Sequence, residues 1–123
     1  MTNHKNLSVV LATFNEENNI GECLESVKKI ADEIVIVDGG SKDRTVEIVK
    51  TYGAKVIETS NPPIFHINKQ KALEAAEYVW ILQLDADERV TDKLAREITT
   101  VINMDEKEID SYQQRLNNKQ LFL

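Results

Sequence analysis

Apolar residues fall along this chain in two rhythms. Leu7 to Phe14 (LSVVLATF) is an unbroken apolar, β-branched run, the pattern of a strand buried on both faces. The polar stretch Asn15-Glu16-Glu17-Asn18-Asn19 breaks it. Ile20, Leu24, Val27 and Ala31 then recur at helical spacing and predict a helix from about Asn19 to Ile30. Glu33 to Asp38 (EIVIVD) predicts a second buried strand, and Gly39-Gly40-Ser41 a turn. Thr45, Ile48, Val49 and Tyr52 form the next helical stripe, closed by Gly53 where a helix C-terminal glycine belongs. Ala54 to Glu58 predicts a short third strand, and Ser60 to Phe65, with Pro62-Pro63, a loop. Ala72, Leu73, Ala76 and Val79 suggest a helix starting near Asn68. Tyr78 to Leu84 (YVWILQL) predicts a fourth strand, with Trp80 in the core. Thr91 is a helix N-cap with Asp92 in the first turn, and Leu94, Ala95, Ile98, Val101 and Ile102 supply that helix's buried face. Met104 to Asp110 reads as a solvated loop, and Ser111 to Leu123 as the start of a further strand.

Strands alternating with helices imply an α/β fold, a mostly parallel sheet with helices on both faces. Such sheets take ligands outside the carboxyl ends of their strands. Polar residues collect there in this chain. Asn15 and Glu16 follow the first strand, Asp38 ends the second, and Asp85 and Asp87 end the fourth.

Composition narrows the partners. At 123 residues the chain suffices for one core and not two. A net charge of -6 disfavours nucleic acid, and a nucleotide's phosphates would need a cation beside the protein's carboxylates. One cysteine, Cys23, permits no internal disulfide and fits a reducing compartment. It falls on the apolar side of the first helix and reads as a buried, inert thiol. His4 and His66 lack ligand spacing for zinc. No apolar run approaches the ~20 residues that cross a bilayer, and Met1 to Asn6 is polar. The expected location is the cytoplasm, with peripheral contact at the inner face of the membrane left open.

Three constellations carry chemistry. In Leu84-Asp85-Ala86-Asp87-Glu88, carboxylates two residues apart at a strand end can converge on one hard cation, Mg²⁺ or Mn²⁺. Such an ion completes its shell with water and phosphate oxygens and assists departure of a diphosphate. An acidic turn capping a helix is the competing explanation. Asp38 before Gly39-Gly40 could accept a hydrogen bond from a base, or Asp38 or Ser41 could cap the next helix. Phe14 could stack on a base, although packing alone explains most such aromatics.

A strand ending in T-F-N-E-E, a second ending in V-D-G-G-S-x-D-x-T and a fourth ending in L-D-A-D-E, in that order, resemble family 2 glycosyltransferases of the GT-A fold. The resemblance covers roughly residues 7–102, within a single partial domain spanning 1–123. The segment from Lys69 to D-A-D-E-R-V-T, with Tyr112 and Arg115 beyond, is most similar to the subgroup that decorates lipopolysaccharide cores. The resemblance implies roles. Phe14 packs against the nucleobase, Asp38 reads it (commonly uracil), Asp85 lies near the ribose and Asp87 holds the metal. Glu16 lies near the nucleotide. Lys69 stands for the family's basic residue, although Lys69-Gln70 replaces the usual Arg-Asn.

The implied reaction moves a sugar from a nucleotide-diphosphate donor, UDP-linked by resemblance, to a glycan or glycolipid hydroxyl. The family's general base comes well after the D-x-D strand, and nothing after Asp87 matches it. The apolar ending Leu121-Phe122-Leu123 resembles an interrupted strand and points to self-association. The expectation is a truncated donor-binding half, and the alternative to an enzyme is a nucleotide-sugar binder without turnover. A receiver-like signalling domain would need a phosphoacceptor Asp after strand three, where this chain has Glu58-Thr59. A nucleotidyltransferase would need a glycine-rich loop after strand one, which Asn15 to Asn19 does not provide.

Overall fold

The computed structural model describes residues 6–60 and 65–104. The elements run β1 (Leu7–Thr13), α1 (Ile20–Val27), β2 (Glu33–Asp38), α2 (Thr45–Thr51), β3 (Lys55–Glu58), α3 (Phe65–Ala75), β4 (Trp80–Gln83) and α4 (Asp92–Ile102). The four strands form one parallel sheet in the order β3-β2-β1-β4. The expected alternation and parallel sheet are therefore present. The expectations for His4, Pro62-Pro63, the 105–110 cluster, Tyr112, Arg115 and the strand over 111–123 lie outside the described residues.

Strand alternation sorts the core into two layers. Leu7, Val9 and Leu11 of β1, with Ile34 and Ile36 of β2, face α1, α2 and α4 through Ile20, Leu24, Val27, Val49, Ile98 and Ile102. Val10, Val35 and Val37 face the other way, onto Ala72 of α3, with Leu73 and Ala76 packed alongside. Helices thus cover both faces, and β1 and most of β2 have no polar side to show. That is why their sequences read as continuous apolar runs.

Three expectations need correction. Helix α1 ends at Val27, not near Ile30. The Ile30 and Ala31 amides both turn back to the Val27 carbonyl, and Asp32 then bonds Leu7 to start β2. Helix α3 begins at Phe65 rather than near Asn68. Its inward Asn68 is polar yet only 1% exposed, so its first turn lacks the apolar signature. Strand β4 is shorter than Tyr78 to Leu84. The Glu77 and Tyr78 amides donate to the Glu33 carboxylate and the Ser8 hydroxyl instead of a strand ladder. β4 is also outermost among the described strands on its side, so Trp80 is half-buried and Val79 is exposed. Among the described residues, no helix is long and apolar enough to cross a membrane.

The strand order places one feature of functional interest. From β1 the chain steps outward to β2 and β3, then returns across the sheet to β4 on the far side of β1. The carboxyl ends of β1 and β4 therefore lie side by side, and a crevice opens where the segments that follow them meet α3.

Candidate functional site

At that crevice, Ala12, Glu16, Lys69, Asp85, Ala86 and Asp87 line an open cleft of about 340 Å³. Four of the six residues singled out from sequence, Glu16, Lys69, Asp85 and Asp87, thus meet on one surface, although they come from three separate stretches of chain. Phe14 and Asp38 are not among its walls.

The D-A-D turn owes its form to its middle residue. Ala86 is 2% exposed and packs into the core with Leu84 and Val90, while Asp85 and Asp87 on either side face solvent. The turn is closed by the Asp85 amide donating to Glu88 Oε1 (2.8 Å) and the Glu88 amide donating to the Asp85 carbonyl (2.9 Å). Helix α1 supports it from behind. The Cys23 thiol donates to the Asp85 carbonyl (3.7 Å), and the Val90 amide donates to Ser26 Oγ (3.0 Å). Burial pushes the Cys23 thiol up to about 11. Arg89 pulls it down, and Glu88, Asp87 and Asp85 push it further up. The thiol is a packing group here, as its place on α1 implied.

Lys69 Nζ lies 3.0 Å from Asp85 Oδ1, with both side chains at least a third exposed. A pair so open to water is worth about 0–1 kcal/mol to stability. It does hold a cation against the carboxylate and can be rearranged at little cost. Asp85 and Asp87 offer the hard oxygen donors that Mg²⁺ or Mn²⁺ prefers. Among the described residues no three His, Cys, Asp or Glu side chains converge to hold an ion alone. The donor set therefore fits a divalent cation whose remaining ligands come from a bound diphosphate and water.

Asp38 has a different environment. It is fully buried, and both carboxylate oxygens are engaged. Oδ1 accepts from Thr13 Oγ1 (2.7 Å) and Ser41 Oγ (2.6 Å), and Oδ2 accepts from the Gly40 (3.1 Å) and Ser41 (2.7 Å) amides. Four donors fill the usual acceptor capacity of a carboxylate. Gly40 makes this turn with φ of 94°, and a Cβ there would lie 3.3 Å from the Thr59 carbonyl. Neither Asp38 nor Ser41 caps α2, contrary to the capping alternative. The Thr45 amide donates instead to Asp43 Oδ1 (2.9 Å). Phe14 is half-buried just past β1 and joins neither apolar cluster.

The two N-terminal motifs prove to be halves of one construction. The Asn15 amide donates to Ser41 Oγ, and the Lys42 amide returns a bond to Asn15 Oδ1 (2.8 Å each). The Glu16 amide donates to Thr45 Oγ1 (2.8 Å) and the Glu17 amide to Asp43 Oδ2 (3.2 Å). Asn15 adopts a left-handed φ of 53°, a conformation asparagine tolerates better than most residues. Partial burial works to raise the Asp43 carboxyl. The Thr45 hydroxyl and amide and the Glu17 amide outweigh it and hold the group below the ordinary carboxylate range. Sequence reasoning gave no role to Thr13 or Asp43, and placed Asn15 only among the polar strand-end residues and Thr45 only on a helical stripe. Their signal was present in the fixed spacing of T-F-N-E-E and S-x-D-x-T, but the partners lie more than 25 residues apart.

Comparison with known proteins places this geometry. The model of glycosyl transferase family 2 matches residues 8–121. An uncharacterized glycosyltransferase of Rickettsia typhi is 40% identical over 95 residues, covering 76% of this chain and 32% of that protein. The lipopolysaccharide core biosynthesis glycosyltransferase LpsC of Rhizobium meliloti is 40% identical over 100 residues, covering 75% of this chain and 35% of LpsC. Among solved structures, residues 1–349 of Staphylococcus aureus TarS in complex with UDP superpose with a TM-score of 0.69 at 28% identity. That match covers 80% of this chain and 32% of the 1–349 TarS chain. The chain thus spans roughly a third of the length of the two glycosyltransferases and of the 1–349 TarS chain.

Proposed function

The chain belongs to glycosyl transferase family 2, and on that premise we propose that it forms the donor side of a transferase moving a sugar from a nucleotide diphosphate to a hydroxyl acceptor. The observation that carries this reading is the cleft at the carboxyl ends of β1 and β4, where Glu16, Lys69, Asp85 and Asp87 meet. An acidic cleft with one lysine suits a diphosphate that arrives with a divalent cation. UDP is the nucleotide of choice, supported by the UDP complex of TarS. The similarity to LpsC supports a cell-envelope glycan as the acceptor class, made at the cytoplasmic side of the membrane.

In this reading Asp87 and Asp85 present oxygens to Mg²⁺ or Mn²⁺, which when bound would offset the charge developing on the leaving diphosphate. Lys69 exchanges Asp85 for phosphate oxygens when the nucleotide enters. Ala86, buried beneath, keeps the two carboxylates outward. Phe14 packs against the base beside the Asp38 turn. Glu16 approaches the nucleotide from the β1 side.

The test is calorimetric titration of UDP into the purified chain with and without Mn²⁺, repeated with Asp87→Ala. Metal-dependent binding that Asp87→Ala abolishes is the expected result. UDP binding indifferent to both metal and Asp87 would remove the carboxylate pair from the donor site.

A further inference from the structure

We infer that Arg89 is a positioning residue for the two carboxylates, acting through the backbone that carries them; this rests on the donor-site reading above. Its Nη1 nitrogen donates to the Ala86 carbonyl at 2.8 Å and to the Glu88 carbonyl at 2.9 Å. Those two residues flank Asp87, so one guanidinium nitrogen ties the Ala86–Asp87 peptide to the Glu88–Arg89 peptide and spans Asp87 between them. The same side chain reaches α1, with Nε 3.5 Å from Glu22 Oε2. Arg89 is 32% exposed whereas Glu22 is 81% exposed. The carbonyl contacts are therefore the better shielded ones, and the ion pair is an accessory.

The Arg89 charge is paired with Glu22, but toward a bound metal it is unfavourable. A guanidinium beside a divalent-cation site repels the ion, so as a bare charge it weakens binding. As a clamp it does the reverse, by keeping Asp85 and Asp87 directed outward before any ion arrives. Groups that orient ligands from behind in this way are typically worth about 10- to 100-fold in metal affinity. The two roles predict opposite signs on removal. Both bonds leave the one Nη1 nitrogen; a lysine ammonium also carries several donors, but it sits nearer the backbone and lacks the planar group that fixes their direction, so it holds the turn more loosely.

The experiment is the Mn²⁺ midpoint for UDP binding to this chain, measured for wild type, Arg89→Met, Arg89→Lys, Glu22→Gln and Asp87→Asn. Thermal melts and amide exchange of residues 84–90 without metal accompany it. Arg89→Met should raise the midpoint about tenfold, leave metal-free UDP affinity unchanged and speed exchange of the Asp85 and Glu88 amides. Arg89→Lys should fall between, and Glu22→Gln should stay within about twofold. A merely destabilised fold would lower the fraction of chain that binds, not the midpoint. An unchanged or lower midpoint in Arg89→Met, with Asp87→Asn still abolishing metal dependence, overturns the clamp and leaves the donor site standing. If Arg89→Met does not fold, Arg89→Gln is measured in its place, and a wild-type midpoint there overturns it equally, because the shorter amide cannot span both carbonyls. Absence of Mn²⁺-dependent UDP binding in wild type overturns the donor reading and the clamp together.

Discussion

Replacing Asp38 with alanine removes an acceptor shared by four donors, from the Thr13 and Ser41 hydroxyls and the Gly40 and Ser41 amides. Each hydrogen bond to a charged acceptor is worth about 1.5–3 kcal/mol, but the four do not add. The hydroxyls can rotate to other acceptors, and exposed Gly40 lets water reach the amides. What remains is a broken buried network, costing about 3 kcal/mol. Asparagine should cost far less, about 1 kcal/mol. Its carbonyl oxygen can face the two amides, which must donate, and its NH₂ the two hydroxyls, which can accept. With a urea slope of about 1.5 kcal/mol/M, Asp38→Ala should lower the unfolding midpoint by about 2 M, and Asp38→Asn by well under 1 M. A midpoint for Asp38→Ala within about 0.3 M of wild type would show that the carboxylate does not hold this turn. UDP titration of Asp38→Asn then separates two roles. Lost affinity at near-native stability isolates a contact with the base from the building of the turn.

Two further outcomes follow from the charge environments. Burial holds the single cysteine's thiol up at about 11, so at pH 8 roughly one Cys23 in a thousand is ionised. A disulfide reagent should modify the native chain at least about a hundredfold more slowly than the chain in urea, and equal rates would contradict the burial. The Asp43 carboxyl lies below its ordinary 3.8 in the folded chain. Its contribution is therefore fully present above about pH 4 and is lost as pH falls from there through the folded value. The melting-temperature gap between wild type and Asp43→Asn should accordingly be constant near neutrality and close on acidification below pH 4, whereas a gap unchanged down to pH 2.5 would refute that ionic role.

Much of this fold could be read along the chain because its strongest signals are local. The run Glu33 to Asp38 matches β2 residue for residue, and Thr91 caps α4 by accepting from the Leu94 amide. Cys23 was recognisable as core from its helical phase alone. Trp80 does pack against the core but is only half-buried, because periodicity reports a strand's two faces, not its rank in the sheet. The start of α3 was misplaced because Asn68, buried with the Thr59 hydroxyl donating to it at 3.4 Å, looks like a surface residue. The cleft residues Glu16, Asp85 and Asp87 were legible from the rule that ligands gather at strand ends. The engagement of Asp38 was not, because one of its partners, Thr13, is 25 residues away.

The hydroxyl of Ser8 touches two very different distances along the chain. It donates to Glu33, 25 residues on, and accepts from the Tyr78 amide, 70 residues on. Closing the longer loop costs only about 1 kcal/mol more than closing the shorter, but it must wait until the chain has been made as far as Tyr78. The crevice therefore has no existence in a half-folded intermediate. One wall travels with β1, and the other arrives only when β4 docks beside it. Anything that binds across both walls is thermodynamically linked to that docking event and stabilises the pairing of β4 with β1. A ligand captured there would report that β4 has docked beside β1.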